Sequence, residues 1–158
     1  MSDLIAIPPA PATPAGTTVS GGAFWPVADV AHFRDIVRIG GPIIPDARLI
    51  TALAGAYVTV KQELRQLAHK AVASGIARLQ DMPDTPLTDS ADRPVIFLRA
   101  LYATAAADLI EGQRDITATS QGLGRIEEQM PTADDYRRNA TWAVRDLLEV
   151  PRNTVALI

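Results

Sequence analysis

The sequence lacks most residue types and motifs on which catalytic and metal sites depend. It has 158 residues and no cysteine, which excludes disulfide bonds, thiol catalysis and zinc sites with cysteine ligands. Only two histidines occur, His32 and His69, and they are too far apart in sequence to form a local metal-binding motif. No phosphate-binding loop, dinucleotide fingerprint or nucleophile-elbow motif is present. The sequence therefore predicts a protein that is not an enzyme, with no catalytic residues, no metal and no cofactor.

Neither sign of charge dominates the chain. Lys and Arg number 15 against 18 Asp and Glu, so the net charge is −3. A chain with this balance of charges lacks the broad basic surface with which proteins bind nucleic acid regardless of its sequence. No apolar run approaches the roughly 20 residues of a membrane-spanning helix, and the first residues lack the regions of a signal peptide. We therefore expect a cytosolic product that is not a membrane protein.

Aromatic residues are also scarce, at 5%, whereas hydrophobic residues make up 47% of the chain. The core must therefore consist mostly of leucine, isoleucine, valine and alanine. The main candidate for its centre is the stretch 94–115, in which apolar residues recur at helical spacing on nearly every side. Such a pattern predicts a central helix that is buried on more than one side. Its four alanines between positions 103 and 107 would allow neighbouring helices to approach closely.

Three further helices are predicted around this one. A short helix begins after Asp29, a long helix runs from Pro45 to Ser74 with a break at Gly75, and a last helix begins after Thr132. The long helix would measure about 45 Å, which is more than a compact domain of this size accommodates and therefore favours an oligomer. The predicted fold class is all-α: a small helical bundle of about four helices with one long helix.

The composition of both chain ends differs from that of the helical region. Residues 1–23 are rich in proline, alanine, glycine and threonine, which predicts a flexible, disordered arm. Residues 24–158 are predicted to form a single helical domain. Residues 154–158 are apolar, which predicts a short extended tail. Such a tail either packs against its own domain or pairs with a partner.

Partner binding is predicted for three groups of residues: an aromatic pair at the start of the helical region, the outer side of the last helix, and the C-terminal tail. Two large aromatic residues beside a proline, as at Phe24 and Trp25, usually dock into a core or an interface. Trp142 falls on the outer side of the last helix, where tryptophan and arginine are typical of interface hot spots, although local stacking of arginine on the ring explains the pattern equally well. The full set of candidate residues is Phe24, Trp25, Arg138, Trp142, Arg145, Val155, Leu157 and Ile158.

Several blocks of the sequence follow one another as they do in a known family. They are Phe24-Trp25-Pro26, Ala47-Arg48-Leu49, Ser74–Leu79 ahead of Asp81-Met82-Pro83, Arg99–Asp108, Asp115–Thr119, and Thr141–Val144 through Pro151-Arg152. In order and spacing, from about Phe24 onward, these blocks resemble the phage head completion protein (GPL) family, the neck proteins of tailed phages. No single block is a chemical motif, so the resemblance depends on their collinearity.

The resemblance implies a structural virion protein that acts as a head-tail connector. Such a protein would add to the portal vertex after DNA packaging, stabilise the filled head and create the surface for tail attachment. Its implied partners are the portal protein, a downstream neck or tail-terminator protein, and other copies of itself in a ring of 12. DNA would pass through the lumen of the ring without sequence recognition, and the protein would be located in the virion neck after assembly in the host cytoplasm. The alternative is a small helical regulatory module that binds a partner protein.

Overall fold

The computed structural model describes residues 13–37, 44–117 and 131–151, with the side chains of 113–117 left out. Two short strands, β1 and β2, pair antiparallel, and a 3-10 turn covers Leu79–Asp81. Helices α1 to α5 account for most of the remaining described residues. The bounds are β1 Thr18–Val19, β2 Ala28–Asp29, α1 Val30–Ile36, α2 Asp46–Glu63, α3 Arg65–Ala73, α4 Asp92–Thr117 and α5 Ala133–Leu147.

Helix α4 is the central element that the sequence predicts. It packs mainly against α5 and α2. Its small residues Ala100, Ala105 and Ala106 are completely buried, as are Phe97 and Leu101. Small side chains let helix axes approach closely, and close packing of buried apolar surface stabilises the fold. The expectation of a helix buried on more than one side is therefore confirmed.

Helix α5 packs against α4 through the predicted apolar stripe. Ala140, Ala143 and Leu147 are buried, and Tyr136 is half-buried. The helix begins with a capping box, in which the Thr132 side chain accepts a hydrogen bond from the Asp135 backbone and the Asp135 carboxylate accepts one from the Thr132 backbone. The predicted start of the last helix is therefore correct.

The predicted long helix is interrupted, which corrects the expected architecture. α2 ends at Glu63 and α3 begins at Arg65, with Leu64 between them at φ −91° and ψ 7°. Leu64 is completely buried, its N–H donates to the Val60 carbonyl, and its own carbonyl accepts a hydrogen bond from the Ala68 N–H. The longest described helix is instead α4, with 26 residues. The predicted break at Gly75 is correct, because this glycine adopts φ +82° and ends α3 in a Schellman motif.

The N-terminal region also differs from its prediction. The described residues 13–23, expected to belong to a disordered arm, pack onto the helices, and β1 pairs with β2. The fold is therefore mostly helical, with five helices and a two-stranded ribbon in the described ranges rather than about four helices alone. Residues 1–12 and the predicted C-terminal tail at 154–158 lie outside the described residues, and the division into an arm at 1–23 and a single domain at 24–158 stays a prediction.

Side chains from α2 hold this N-terminal segment. The Tyr57 hydroxyl lies 2.6 Å from the carbonyl oxygen of Pro26 and 3.1 Å from that of Val19, and burial raises the pKa of Tyr57 to about 12. Lys61 Nζ donates to the carbonyl of Gly21 at 2.6 Å. A Cβ at Gly21 would overlap the Tyr57 ring, so this close approach requires glycine. Composition alone does not reveal these contacts, because the donors lie more than 30 residues from their acceptors in the sequence.

Candidate partner-binding surfaces

The first predicted pair of aromatic residues contributes to the core. The Trp25 ring stacks on Phe97 of α4 with centroids 4.9 Å apart, and only 8% of Trp25 is exposed. Phe24 is half-buried and meets Trp25 edge to face, also at 4.9 Å. The Phe24 carbonyl accepts a hydrogen bond from the Leu79 backbone at 2.9 Å. The structure thus places Trp25 at the first of the two locations that the sequence allows, a core rather than an interface.

The outer side of α5 brings together two of the other predicted residues. The Arg138 guanidinium lies over the Trp142 ring, 5.4 Å from its centroid, and Arg138 Nη2 donates to Asp135 at 2.6 Å. Hydrogen bonds from the Thr132 backbone and side chain, and then from Arg138, lower the pKa of Asp135. Arg138 is exposed and Trp142 is half-buried, so the stacked pair borders solvent. This is the local arginine stacking that the sequence leaves open.

Arg145, the third predicted residue on α5, contacts the segment that follows this helix. Its Nη2 donates to the carbonyl of Pro151 at 2.6 Å. Its Nε is buried, and within the described parts of the chain it has no hydrogen-bond partner. The predicted contact residues Val155, Leu157 and Ile158 lie outside the described residues.

An apolar groove between α1, α4 and α5 is the surface that the sequence did not predict. Its volume is about 360 Å³, within the range of roughly 300–1,000 Å³ that ligand pockets occupy. One polar contact crosses its wall, where the His32 ring nitrogen lies 3.4 Å from the Tyr102 hydroxyl. The lining residues are His32, Ile36, Val37, Val95, Leu98, Arg99, Tyr102, Ala103, Tyr136 and Asn139.

The groove exposes apolar side chains, one of which the helical pattern assigns to the core. Val95 is 66% exposed and Ile36 is 53% exposed, although Val95 shares its helical stripe with the buried residues Leu101 and Tyr102. Helix α1 ends at Ile36, and no described residue covers this part of α4. Contiguous exposed apolar surface of this kind marks binding sites in soluble proteins. Residues 95 and 98 lie on the apolar stripe that the sequence predicts for this helix. Helical periodicity does not show which part of such a stripe remains uncovered by neighbouring elements.

The charged groups beside these surfaces are arranged in ion pairs. Arg99, at the edge of the groove, lies 3.9 Å from Asp146, and Arg137 pairs with Glu111 and Asp134. In residues 13–37, 44–117 and 131–151, no group of three or more His, Cys, Asp or Glu could hold a metal ion. Among the helices in those same ranges, none has the length and hydropathy that crossing a bilayer requires.

The described surfaces include an apolar groove and, on the outer side of α5, an arginine stacked on a tryptophan. Comparison with known proteins then defines the family. The sequence profile of the phage head completion protein (GPL) family matches residues 19–158, and the chain belongs to this family of structural phage proteins. A similar protein is the head completion/stabilization protein of Escherichia phage P2, which is 28% identical over 135 residues, covering 85% of this chain and 79% of the relative. No solved structure shows significant similarity.

Proposed function

We propose that this protein completes the phage head by adding to the portal vertex after DNA packaging. There it stabilises the filled head and creates the surface to which the tail attaches. The observation that carries the proposal is the family match, which extends over residues 19–158 and so includes every described helix. The P2 relative is itself named for head completion and stabilization, which supports the same role for this chain.

In this proposal the protein acts as a homo-oligomer, a ring of 12 copies between the portal protein and a downstream neck or tail-terminator protein. A closed ring requires a heterologous interface, in which two different surfaces of each copy meet. The candidate contact residues outside the core are Phe24, Arg138, Trp142 and Arg145, together with Val155, Leu157 and Ile158 beyond the described residues. The exposed Arg138 beside the half-buried Trp142 supports a contact on the outer side of α5.

The charge of the chain is compatible with DNA passing through such a ring. A net charge of −3 provides no general attraction for phosphates, so DNA in the lumen would not be held by the protein as a whole. The proposed location is the neck of the virion, reached after assembly in the host cytoplasm.

The test begins with a phage in which a stop codon replaces an early codon of this gene. Heads purified from a non-permissive host are incubated with or without the purified protein, and the packaged DNA is measured after nuclease treatment. We expect mutant heads to lose DNA or fail to join tails, and the added protein to restore DNA retention and infectivity. The matched control is the same addition with protein that has been heat-denatured.

Two results would overturn the proposal. Normal DNA retention and tail joining by the mutant heads would show that the head does not require the protein. A defect in host gene expression, with normal completion of any heads that form, would instead support the small regulatory module that binds a partner protein.

A further inference from the structure

The loop that precedes α4 exposes a large apolar side chain. Leu87 is 76% exposed, the highest fraction among the large apolar residues of the described ranges. Its neighbour Pro86 is exposed as well, whereas the next residue, Thr88, is buried. A single exposed leucine is ordinary in a folded protein, so its role depends on how the loop is held and on which surface it matches.

Buried and short polar contacts hold this loop in place. Arg93 is only 2% exposed, and its Nη1 donates to the Met82 carbonyl at 3.0 Å. The Thr85 hydroxyl donates to the Glu149 carboxylate at 2.6 Å, which connects the loop to the residues just after α5. A loop that is fixed before binding loses little further conformational freedom when a partner buries its leucine. Leu87 is therefore a preorganised apolar projection.

The groove between α1, α4 and α5 is a separate surface with room for such a side chain. Its volume is about 360 Å³, whereas a cavity of about 150 Å³ is enough to hold benzene. Leu87 is not among its lining residues. Arg93 and the groove residue Val95 are two positions apart on α4, and so about 200° apart around its axis. The contact that anchors the loop thus lies on the side of α4 opposite to the groove.

The loop and the groove also differ in charge. Residues 83–92 contain no lysine or arginine, and they carry three exposed aspartates: Asp84, Asp89 and Asp92. The groove lining contains no acidic residue and includes Arg99, whose side chain is 48% exposed. Arg99 has five N–H donors, so it can bind a further carboxylate besides Asp146, which lies 3.9 Å away. Opposite charges on two surfaces favour their association and fix its orientation.

We propose that the groove of one copy binds the loop 83–92 of a neighbouring copy. The Leu87 side chain enters beside Val95 and Leu98, and the aspartates of the loop lie near Arg99. Each copy then offers its loop to one neighbour and its groove to the other, which is the heterologous contact that a closed ring requires. The inference rests on the proposed function, because it names the contact between copies in the proposed ring.

The absence of cysteine permits a direct test by site-specific crosslinking. A chain carrying only Pro86→Cys is mixed with a chain carrying only Val95→Cys, so that any 86–95 crosslink joins two chains. The mixture is added to mutant heads, and the completed particles are treated with a short bis-maleimide and analysed by peptide mapping. The control mixture replaces Val95→Cys by Thr59→Cys, which is exposed on α2 outside the groove. We expect 86–95 crosslinks about tenfold or more above 86–59 crosslinks.

A second variant tests the leucine itself. Leu87→Asp is added to the Pro86→Cys chain, and Val58→Asp, at a residue 67% exposed on α2, is the matched control. Both side chains are exposed, so both variants should keep their circular dichroism spectrum and melting temperature. We expect Leu87→Asp to reduce the 86–95 crosslinks to the control level and Val58→Asp to leave them unchanged.

The results separate this proposal from the proposed function. If the mixture restores infectivity and 86–95 crosslinks do not exceed the control, the contact is excluded while the proposed function stands. If the protein does not add to heads, the proposed function fails, and the same mixtures at about millimolar concentration in solution decide about the contact. There, 86–95 crosslinks above the control support it, and their absence overturns it. Predominant 86–86 or 95–95 crosslinks would also overturn it, because they indicate a symmetric contact between like surfaces.

Discussion

The two sides of α4 both carry apolar residues, but their surroundings differ. On one side Phe97 is completely buried, stacked on Trp25 and 6.0 Å from the Tyr57 ring centroid. On the other side Val95 is 66% exposed and Leu98 borders the open groove. The first side is covered by the N-terminal segment and α2, whereas helix α1 ends before it covers the second.

This difference shows that burial depends on the neighbouring elements as much as on the helix. A helix apolar nearly all round predicts burial on several sides. The covered side stabilises the domain, while the open side retains apolar surface that another segment or protein can bury. Mutations on the two sides should therefore separate stability from binding.

The largest expected effect is from Phe97→Ala on the covered side. Removing a completely buried ring and its stacking with Trp25 should lower the free energy of unfolding by about 3–5 kcal/mol. Urea denaturation followed by circular dichroism measures the change. The matched control is Val95→Ala, which should change it by no more than about 0.5 kcal/mol because this side chain is mostly exposed. Equal losses of unfolding free energy in the two variants would show that the two sides of α4 contribute equally to stability.

A pair of glycines provides the next comparison. Gly21→Ala should destabilise the protein by about 1–3 kcal/mol, because the new methyl group would overlap the Tyr57 ring and displace the N-terminal segment. Gly55→Ala should instead stabilise α2 by about 0.5–1 kcal/mol, since nothing lies within 4 Å of its added methyl group. Thermal unfolding of both variants measures the difference. A stable Gly21→Ala variant would mean that this segment does not pack closely on Tyr57.

Tyr57→Phe tests the hydrogen bonds on the covered side. The variant leaves the Pro26 and Val19 carbonyls without their shared donor, which should cost about 1–3 kcal/mol. Because burial raises the pKa of Tyr57 to about 12, the native state holds this proton more tightly than the unfolded chain, whose tyrosine titrates near 10. Its contribution is complete below pH 10 and is lost as pH rises toward 12. Unfolding measured from pH 9 to 12 should therefore show a shallower decline for the variant than for the native protein.

The smallest expected effect on stability is from Arg138→Ala on the outer side of α5. The residue is exposed, and its contacts with Asp135 and Trp142 lie at the surface, so the melting temperature should change little. If this face contacts a partner, the variant and Trp142→Ala should restore infectivity to mutant heads less well than the native protein. Arg137→Ala, which removes the neighbouring ion pairs with Glu111 and Asp134, is the control. Full restoration by the folded Arg138 and Trp142 variants would exclude this face from assembly.

The sequence predicts the helices better than the contacts between distant elements. The central helix, the Thr132 cap and the helix end at Gly75 depend on local patterns, and each is correct. The packing of residues 13–23 was missed because Tyr57 and Lys61, which hold them, lie more than 30 residues away. The groove was missed because helical periodicity identifies an apolar stripe without showing where the covering helix ends.

Cryo-electron microscopy of completed virions and of mutant particles tests the central claim most directly. The account predicts density for a ring of these helical domains between portal and tail in the native particle, and its absence from mutant heads. Density for this domain elsewhere on the capsid, or an unchanged neck in mutant particles, would contradict the assignment to the portal vertex.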